Sequence, residues 1–304
     1  MTEAADAFDP DETCDVAVVG GGPAGCSAGV FTARYGLDTL VLDRGRSSLQ
    51  QCAHLENYLG FPGGIDIDTF YDLMHAHAEA AGCRLVDDFV DAVTRTADGS
   101  GFAVETQDGR AVEAERVVAA TRYDSEYLEP LDKGEMYETH NHGGEKHRHF
   151  DRSYADPDGR TPIDGLYVAS PVDDRNQQAI TAAGQGARVG RHVVGDVRGD
   201  RGYWDDAAER VDWVRRERAR DPEWGTRDRW REAFDERMPD DLDLPAETVE
   251  ELREAEVDDR LDAYISDEEI EARRKRAHDR ILDHLDTERI RAYLDRVDAE
   301  SADG

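Results

Sequence analysis

The apolar and polar residues near the start of the chain follow the pattern of a strand, a helix and a second strand. Residues 16–19 are apolar and mostly β-branched, which predicts a buried strand. Residues 23–35 predict a helix, and Gly36 is suited to end it in the left-handed conformation. Residues 37–42 predict a second strand, which ends at Asp43. This order predicts a βαβ unit with parallel strands.

Further helices and strands are predicted along the chain. Asp68 is expected to cap a helix that Gly82 ends, and Asp108-Gly109 is a strong hairpin signal. The further predicted elements are a helix at 69–81, strands at 84–94, 102–106, 111–115, 116–121 and 165–169, and a helix at 176–194. Residues 123–160 are polar and are expected to be irregular. The pattern predicts an α/β fold, a Rossmann-like parallel sheet with a β-hairpin or meander crossover.

The last third of the chain differs from the rest, since residues 201–304 contain 34 acidic and 20 basic residues. That composition is too polar for a second full core, yet the apolar residues keep helical spacing. Pro245 and the capping box Ser266–Glu269 mark helix starts. We expect amphipathic helices that pack on the first domain or on a second copy of the chain, forming a homodimer. Four tryptophans are expected to anchor these helices, with a partner-binding stripe as the alternative: Trp204, Trp213, Trp224 and Trp230.

The charge and the cysteine content of the chain indicate which partners and which cellular compartment to expect. The net charge is −33 and only three lysines occur, a composition similar to that of proteins from salt-loving archaea, in which salt screens self-repulsion. The charge argues against nucleic-acid binding, because phosphates would be repelled. The four cysteines form no C-x-x-C pair, which predicts reduced thiols in the cytoplasm: Cys14, Cys26, Cys52 and Cys83. Residues 1–13 are expected to be a disordered acidic tail rather than a signal peptide, and no membrane span is predicted.

The turn between the first strand and the first helix carries the chemistry. Gly20, Gly22 and Gly25 form G-x-G-x-x-G, with Pro23 and Ala24 opening the helix. Such glycines permit a tight turn, close approach of a pyrophosphate and close helix packing, while the helix N-terminus attracts the phosphates. At the end of the next strand, Asp43 is suited to bind a ribose, and Arg44 follows it. A glycine turn without a ligand is the alternative.

Three segments together resemble one family of flavoproteins. They are the glycine loop with Asp43-Arg44-Gly45, the sequence HLENYLGFP at 54–62, and TPIDGLYVASPV at 161–172 followed by QQAITAAGQGA at 177–187. The chain is similar in these segments to the thioredoxin reductase-like branch of the flavoproteins with two dinucleotide-binding domains. The resemblance implies FAD as the cofactor, Asn57 against the flavin, and Gln178 and Ala179 at the start of the helix under its ring.

The chain also departs from that family. The family's FAD domain is split by an NADPH-binding domain that carries C-x-x-C, whereas the gap here is only 123–160 and holds neither a second glycine motif nor a cysteine. The resemblance therefore implies FAD binding without NADPH binding or dithiol chemistry. Arg122 replaces the glycine of the family's A-T-G, and Pro171 stands where the family has an aspartate. The predicted domains are a tail at 1–13, an FAD domain at 14–122 plus 161–197, a His-rich insertion at 123–160 and an acidic helical extension at 198–304.

Two groups of side chains are candidates for further chemistry. Cys52 lies in the loop expected near the flavin and is the candidate catalytic thiol, although a single thiol completes no internal dithiol cycle. Four histidines form a candidate metal site, with a polar loop or acid–base residues as alternatives: His140, His142, His147 and His149. The predicted function is an FAD-dependent oxidoreductase that takes electrons from a redox partner protein or a small-molecule substrate. The alternative is a non-catalytic dinucleotide-binding regulatory or scaffold protein.

Overall fold

The computed structural model describes residues 12–45, 48–122, 125–142, 145–170, 178–209, 214–220 and 222–302. Pro171, Trp213 and the predicted tail as far as residue 11 lie outside the described residues. The chain divides into two units, Met1–Val194 and Gly195–Gly304. Within the described residues, no helix is both long enough and apolar enough to cross a membrane.

The elements as far as Asp200 begin with a strand, a helix and a strand and continue mainly as strands. In chain order they are β1 Thr13–Val19, α1 Pro23–Arg34, β2 Thr39–Leu42, α2 Ile67–Ala81, β3 Arg84–Val86, β4 Val90–Arg95, β5 Phe102–Thr106, β6 Ala111–Ala120, β7 Tyr137–His142, β8 Glu145–Phe150, β9 Leu166–Ser170 and α3 Ala179–Asp200. Two 3₁₀ helices lie at Ser48–Gln51 and Glu126–Leu131. Gly36 has φ +94° immediately after α1, as the sequence predicts.

A parallel sheet in the order β3-β2-β1-β6-β9 forms the centre of the first unit. Val18 of β1 pairs with Val41 of β2 on one side and with Val118 of β6 on the other. Strand β6 is long enough to belong to two layers, because its first half pairs antiparallel with β5, and β5 pairs with β4. The three strands β4, β5 and β6 therefore form the predicted meander.

Alternate side chains along the parallel strands show what covers each face of the sheet. Ala17 and Leu40 share a buried cluster with Val93 and Val104 of the meander, so the meander covers that face. Neighbouring residues point the other way, towards the helices: a Cβ added at Gly29 of α1 would lie 3.2 Å from Val41. This arrangement confirms the predicted α/β class and Rossmann-like sheet with a meander.

Helix α3 lies directly against α1. A Cβ added at Gly186 would lie 1.9 Å from the carbonyl oxygen of Ala24, and one at Gly190 would lie 2.8 Å from that of Ala28. The alanine- and glycine-rich sequence of α3 therefore permits backbone contact between the two helices.

Several predicted boundaries are wrong. The single strand predicted at 84–94 is two strands, because residues 87–89 carry the chain from the parallel sheet to the meander. The strands predicted at 111–115 and 116–121 are one strand, β6. The cap of α2 is Asp66, whose carboxylate accepts a hydrogen bond from the N–H of Thr69 at 2.9 Å; Asp68 lies inside the helix. Gly82 ends α2 with φ +110°, as predicted.

The segment at 123–160 is not irregular where the structure describes it. It contains the second 3₁₀ helix and the antiparallel hairpin β7–β8. Its apolar residues Tyr127, Leu128, Met136 and Phe150 join the same buried cluster as the meander. These residues are widely spaced among polar ones, so their common burial leaves no periodic signal in the sequence.

The second unit consists mainly of helices. Its elements are α4 Asp205–Ala208, β10 Arg216–Glu217, a 3₁₀ helix at Arg218–Arg220, α5 Arg227–Asp235, α6 Ala246–Asp262, β11 Tyr264–Ile265, α7 Asp267–Leu282 and α8 Thr287–Ala302. The capping box between Ser266 and Glu269 forms as predicted. Trp204 packs edge-on against Phe234 in a small core. The predicted C-terminal helices are therefore confirmed.

Candidate dinucleotide-binding cleft

A cleft opens at the carboxyl ends of the parallel strands in the first unit. It is lined by the residues that follow β1, β2 and β6, by the end of β9 and by the start of α3. The empty space within the cleft, including the part that is open to solvent, is about 980 Å³. The cleft lies where the chain order reverses, with β2 on one side of β1 and β6 on the other, and ligands bind at such switch points in α/β sheets.

The glycine loop forms the floor of the cleft, and its glycines are required by close contacts. Gly20 has φ +113°, and a Cβ there would lie 2.8 Å from the carbonyl oxygen of Ala120 at the end of β6. A Cβ at Gly25 would lie 1.8 Å from the carbonyl oxygen of Gly20. Helix α1 begins at Pro23 with neither a side-chain cap nor an acidic residue in its first turn. Its N-terminus therefore offers the cleft backbone donors and a partial positive charge.

Asp43 lies beside the glycine loop and is held there by His75 of α2. The His75 ring donates from Nε2 to the Gly21 carbonyl oxygen at 3.0 Å and to the Asp43 carboxylate at 3.3 Å. The other carboxylate oxygen accepts a hydrogen bond from the N–H of Gly45 at 3.2 Å. A Cβ at Gly21 would lie 2.5 Å from that of Asp43, so this glycine lets the acid approach the loop.

The pair formed by His75 and Asp43 is charged. The hydrogen bond to Asp43, helped by the Cys26 sulfur, raises the pKa of His75 to about 10, although burial opposes this shift. Burial would raise the pKa of Asp43, but the hydrogen bonds from His75 and Gly45 outweigh it and hold that pKa below its ordinary value. At neutral pH, an imidazolium therefore faces a carboxylate at the expected ribose site.

The connection between β3 and β4 forms the wall next to Asp43. Asp88 and Phe89 of this connection line the cleft, and the Arg44 guanidinium lies 5.1 Å from the centre of the Phe89 ring. The carboxylate of Asp88 accepts a hydrogen bond from the N–H of Phe89 at 2.7 Å. An aromatic ring with a cation over it is a surface on which a planar base can stack.

The opposite end of the cleft brings together two segments that are far apart in sequence. Asn57 donates a hydrogen bond from Nδ2 to the side-chain oxygen of Gln178 at 2.7 Å. Gln178 and Ala179 line the cleft at the start of α3, whereas Asn57 supports Gln178 from outside the lining. The two segments that the family resemblance assigned to the flavin thus meet at one end of the same cleft.

Comparison with known proteins agrees with this geometry. Residues 14–128 match the family described as pyridine nucleotide-disulphide oxidoreductase. The thioredoxin reductase of Aquifex aeolicus is 34% identical over 114 residues, which are 37% of this chain and 35% of that protein. The thioredoxin reductase of Streptomyces clavuligerus is 37% identical over 87 residues, 28% of this chain and 27% of that protein. The chain resembles the thioredoxin reductases. It spans about a third of the length of the curated relatives it matches.

The similarity to solved structures concerns the fold. A thioredoxin reductase structure from Gloeobacter violaceus matches with a TM-score of 0.50 and 16% identity, covering 67% of this chain and 98% of that one. A structure of the thioredoxin reductase TrxB from Bacillus anthracis, titled as putative, matches with a TM-score of 0.50 and 15% identity, covering 62% of this chain and 99% of that one. The thioredoxin reductase-like fold predicted from the sequence is confirmed.

The candidate catalytic thiol lies apart from the cleft lining. Cys52 is exposed, directly after the 3₁₀ helix at Ser48–Gln51, and it is not among the residues that line the cleft. Its redox role stays a prediction. Cys26 is buried and donates from its sulfur to the carbonyl oxygen of Gly21 at 3.1 Å.

The four histidines lie on the hairpin β7–β8. The rings of His140 and His149 lie 5.9 Å apart, and His140 contacts Glu138 at 2.9 Å. The side chains of His142 and His147 lie outside the described residues. Among the side chains that the structure describes, no group of three or more histidine, cysteine or acidic residues is arranged to hold a metal ion. Metal binding by the four histidines stays a prediction.

Three contributors to the cleft were missed by sequence reasoning. His75 is one of several polar residues on α2, and its pairing with Asp43 depends on how that helix docks. Phe89 belongs to a connection that looked like part of a strand. Arg122 was noted only as a departure from a family pattern. The sequence signal for the break between β3 and β4 is Asp87-Asp88, a pair of acidic residues after a short apolar run.

Proposed function

We propose that the cleft binds FAD and that the chain is a flavin-dependent oxidoreductase related to thioredoxin reductases. One observation carries the proposal: the glycine loop, Asp43 and the start of α3 line one cleft, although Gln178 is more than 130 residues from Asp43 in sequence. The glycine loop with Asp43 and the start of α3 belong to two of the three segments in which the sequence resembles the family, and Asn57 of the remaining segment donates a hydrogen bond to Gln178 at 2.7 Å. A coincidental glycine turn would not require the distant segment at 178–182 to line the same cleft.

The residues present fit the parts of FAD. The N-terminus of α1 and the glycine loop would hold the diphosphate, since the loop lines the cleft and the start of the helix offers backbone donors there. Asp43 would accept hydrogen bonds from the ribose. Gln178 and Ala179 would lie at the ring, where the start of α3 favours negative charge on a reduced flavin. The flavin would supply the redox chemistry when bound, while the chain binds and orients it.

The source of electrons is a further part of the proposal. Residues 123–160 are too few for a second dinucleotide-binding domain, and their described part forms a 3₁₀ helix and a hairpin. We therefore expect a redox partner protein or a small substrate to deliver electrons directly to the ring. The four cysteines are free thiols, which supports a reducing compartment such as the cytoplasm.

A homodimer through the C-terminal helices also belongs to the proposal. Helices α7 and α8 contain no fully buried residue among those described, and several large apolar side chains on or between them are exposed: Ile281, Leu282, Leu285, Tyr293 and Leu294. A second copy would cover them. Sedimentation of the full chain in high salt measures the assembly state, and a monomer at all concentrations would contradict this part.

The test of FAD binding is the spectrum of the protein purified in high salt. We expect a yellow protein whose absorbance bleaches with reductant. Gly22 has φ −79°, which any residue adopts, so Gly22→Val should lower flavin content at least tenfold while the protein stays folded. Gly184→Val is the matched control, since Gly184 has open space around it and lies outside the cleft lining.

Three results would decide against parts of the proposal. A colourless wild-type protein that takes up no added FAD favours the alternative, a regulatory or scaffold protein without catalysis. Unchanged flavin in Gly22→Val would show that the cofactor binds elsewhere. Rapid bleaching by NADPH or NADH alone would contradict the need for a separate electron donor.

A further inference from the structure

The carboxyl end of β6 lies directly against the glycine loop. A Cβ added at Gly20 would lie 2.8 Å from the carbonyl oxygen of Ala120 and 3.4 Å from the Thr121 side chain. Arg122, two residues beyond the end of the strand, lines the same cleft as Gly20 and Gly22. The position at which the family has a glycine thus carries an arginine in the cleft lining.

Arg122 reaches the opposite wall of the cleft. Its Nη1 donates a hydrogen bond to the hydroxyl of Ser48 at 3.3 Å. Ser48 begins the 3₁₀ helix Ser48–Gln51 and also lines the cleft. The guanidinium therefore lies between two segments of the lining that are 74 residues apart in sequence. Its side chain is exposed, so a ligand in the cleft has access to it.

Arg122 lies at a different position in the cleft from the other cation of the lining. Among the described residues of the lining, the cations are Arg44 and Arg122. Arg44 lies over the Phe89 ring, on the side of Asp43. Arg122 follows the end of β6, which lies against Gly20 of the loop that leads into the N-terminus of α1. A diphosphate bound at that N-terminus would lie next to a second source of positive charge.

We propose that Arg122, steadied by Ser48, binds the diphosphate of the dinucleotide opposite the N-terminus of α1. This inference rests on the proposed function, since it assigns a further contact to the same ligand. Guanidinium groups bind phosphate oxygens through paired hydrogen bonds, which fits a ligand with two phosphates side by side. The substitution of glycine by arginine thereby adds a contact to the cofactor and does not close its site.

The experiment measures the binding of ADP, adenosine and FAD to flavin-free protein by titration calorimetry. Arg122→Ala should weaken ADP and FAD about 10- to 100-fold, as expected for loss of a charged hydrogen-bonding partner, and leave adenosine unchanged. Arg122→Lys should retain part of the affinity, and Ser48→Ala should weaken ADP less than Arg122→Ala. Arg191→Ala is the control, because it removes the same charge from an exposed position on α3 outside the cleft lining.

The outcomes separate this inference from the function on which it rests. If wild-type protein binds FAD and Arg122→Ala binds ADP equally or more tightly, the inference is overturned and the proposed function stands. Equal weakening of ADP and adenosine would also overturn it, because the change would then act on the cleft as a whole. If the wild type binds neither ADP nor FAD, both proposals fail together.

Discussion

Replacing His75 by glutamine is expected to remove a pH-dependent part of the stability of the first unit. The His75 ring bridges the carbonyl oxygen of Gly21 and the carboxylate of Asp43, and it packs edge-on against Tyr71. The buried Cys26 thiol is the other titratable group that acts on it. Glutamine keeps a donor at this position and loses the positive charge, so the change isolates the contribution of charge.

The sign follows from the raised pKa of His75. Its ordinary value is 6.5 and its value in the fold is about 10, so folding favours the protonated ring. The stabilisation is complete below pH 6.5 and decreases as the pH rises towards 10. Asp43 acts at the acidic end: its pKa is lowered, so its contribution is present at neutral pH and is lost as the carboxylate becomes protonated in acid.

The magnitude follows from the size of the shift. A fully shifted group loses about 1.4 kcal/mol of unfolding free energy per pH unit between its two pKa values. Solvent reaches 29% of the His75 side chain and screens the pair. We therefore expect about half that slope, or about 1–2 kcal/mol lost between about pH 7 and about pH 9.

Urea denaturation in constant high salt measures the effect. The tryptophans all lie beyond residue 200, so far-UV circular dichroism is the better probe of the first unit. The difference in unfolding free energy between wild type and His75→Gln should shrink by about 1–2 kcal/mol from about pH 7 to about pH 9. His77→Gln is the control, since His77 is exposed on the same helix. A constant difference across this range would refute the charged pair.

Two further predictions concern packing and buried charge. Gly25→Ala places a methyl group 1.8 Å from the carbonyl oxygen of Gly20, so it should lower the unfolding free energy by at least about 2 kcal/mol. Thermal melting measures this loss. Gly184→Ala is the control and should be at least as stable as wild type, because Gly184 has open space around it. Glu256→Ala removes the carboxylate that contacts the Arg198 guanidinium at 2.6 Å, and the Arg198 side chain is only 1% exposed. We expect the unfolding free energy to fall by about 3–5 kcal/mol, because a buried charge loses its partner. Unfolding monitored by tryptophan fluorescence measures this change, and a loss below about 1 kcal/mol would contradict the prediction.

The elements that could be predicted are those whose signals are local. The strand, glycine loop, helix and second strand at 13–42 follow from consecutive residues, because the loop needs glycine at Gly20 and Gly25 for steric reasons. The Asp108-Gly109 turn is similar, since Gly109 has φ +86° and joins β5 to β6. Where geometry within a few residues decides the structure, the sequence is a sufficient guide.

The elements that were missed depend on distant contacts. Residues 84–95 look like one strand, and only the sheet order reveals that β3 pairs with β2 while β4 pairs with β5. The burial of Met136, completely enclosed, depends on the meander that covers it. The contact between His75 and Asp43 depends on the docking of α2. Such pairs have no periodicity, so a pattern of apolar positions does not predict them.

The extreme negative charge of the chain bears on what the cations around the cleft could contribute to binding an anion. A net charge of −33 repels an anionic dinucleotide at long range. At about 1 M salt that repulsion is screened within about 3 Å, whereas direct contacts between charges persist. His75 neutralises Asp43, and Arg122 lines the same cleft as the glycine loop. If the cleft binds an anionic dinucleotide as proposed, positive charge is needed only at contact distance under such screening, and Arg44 and Arg122 of the lining would supply it.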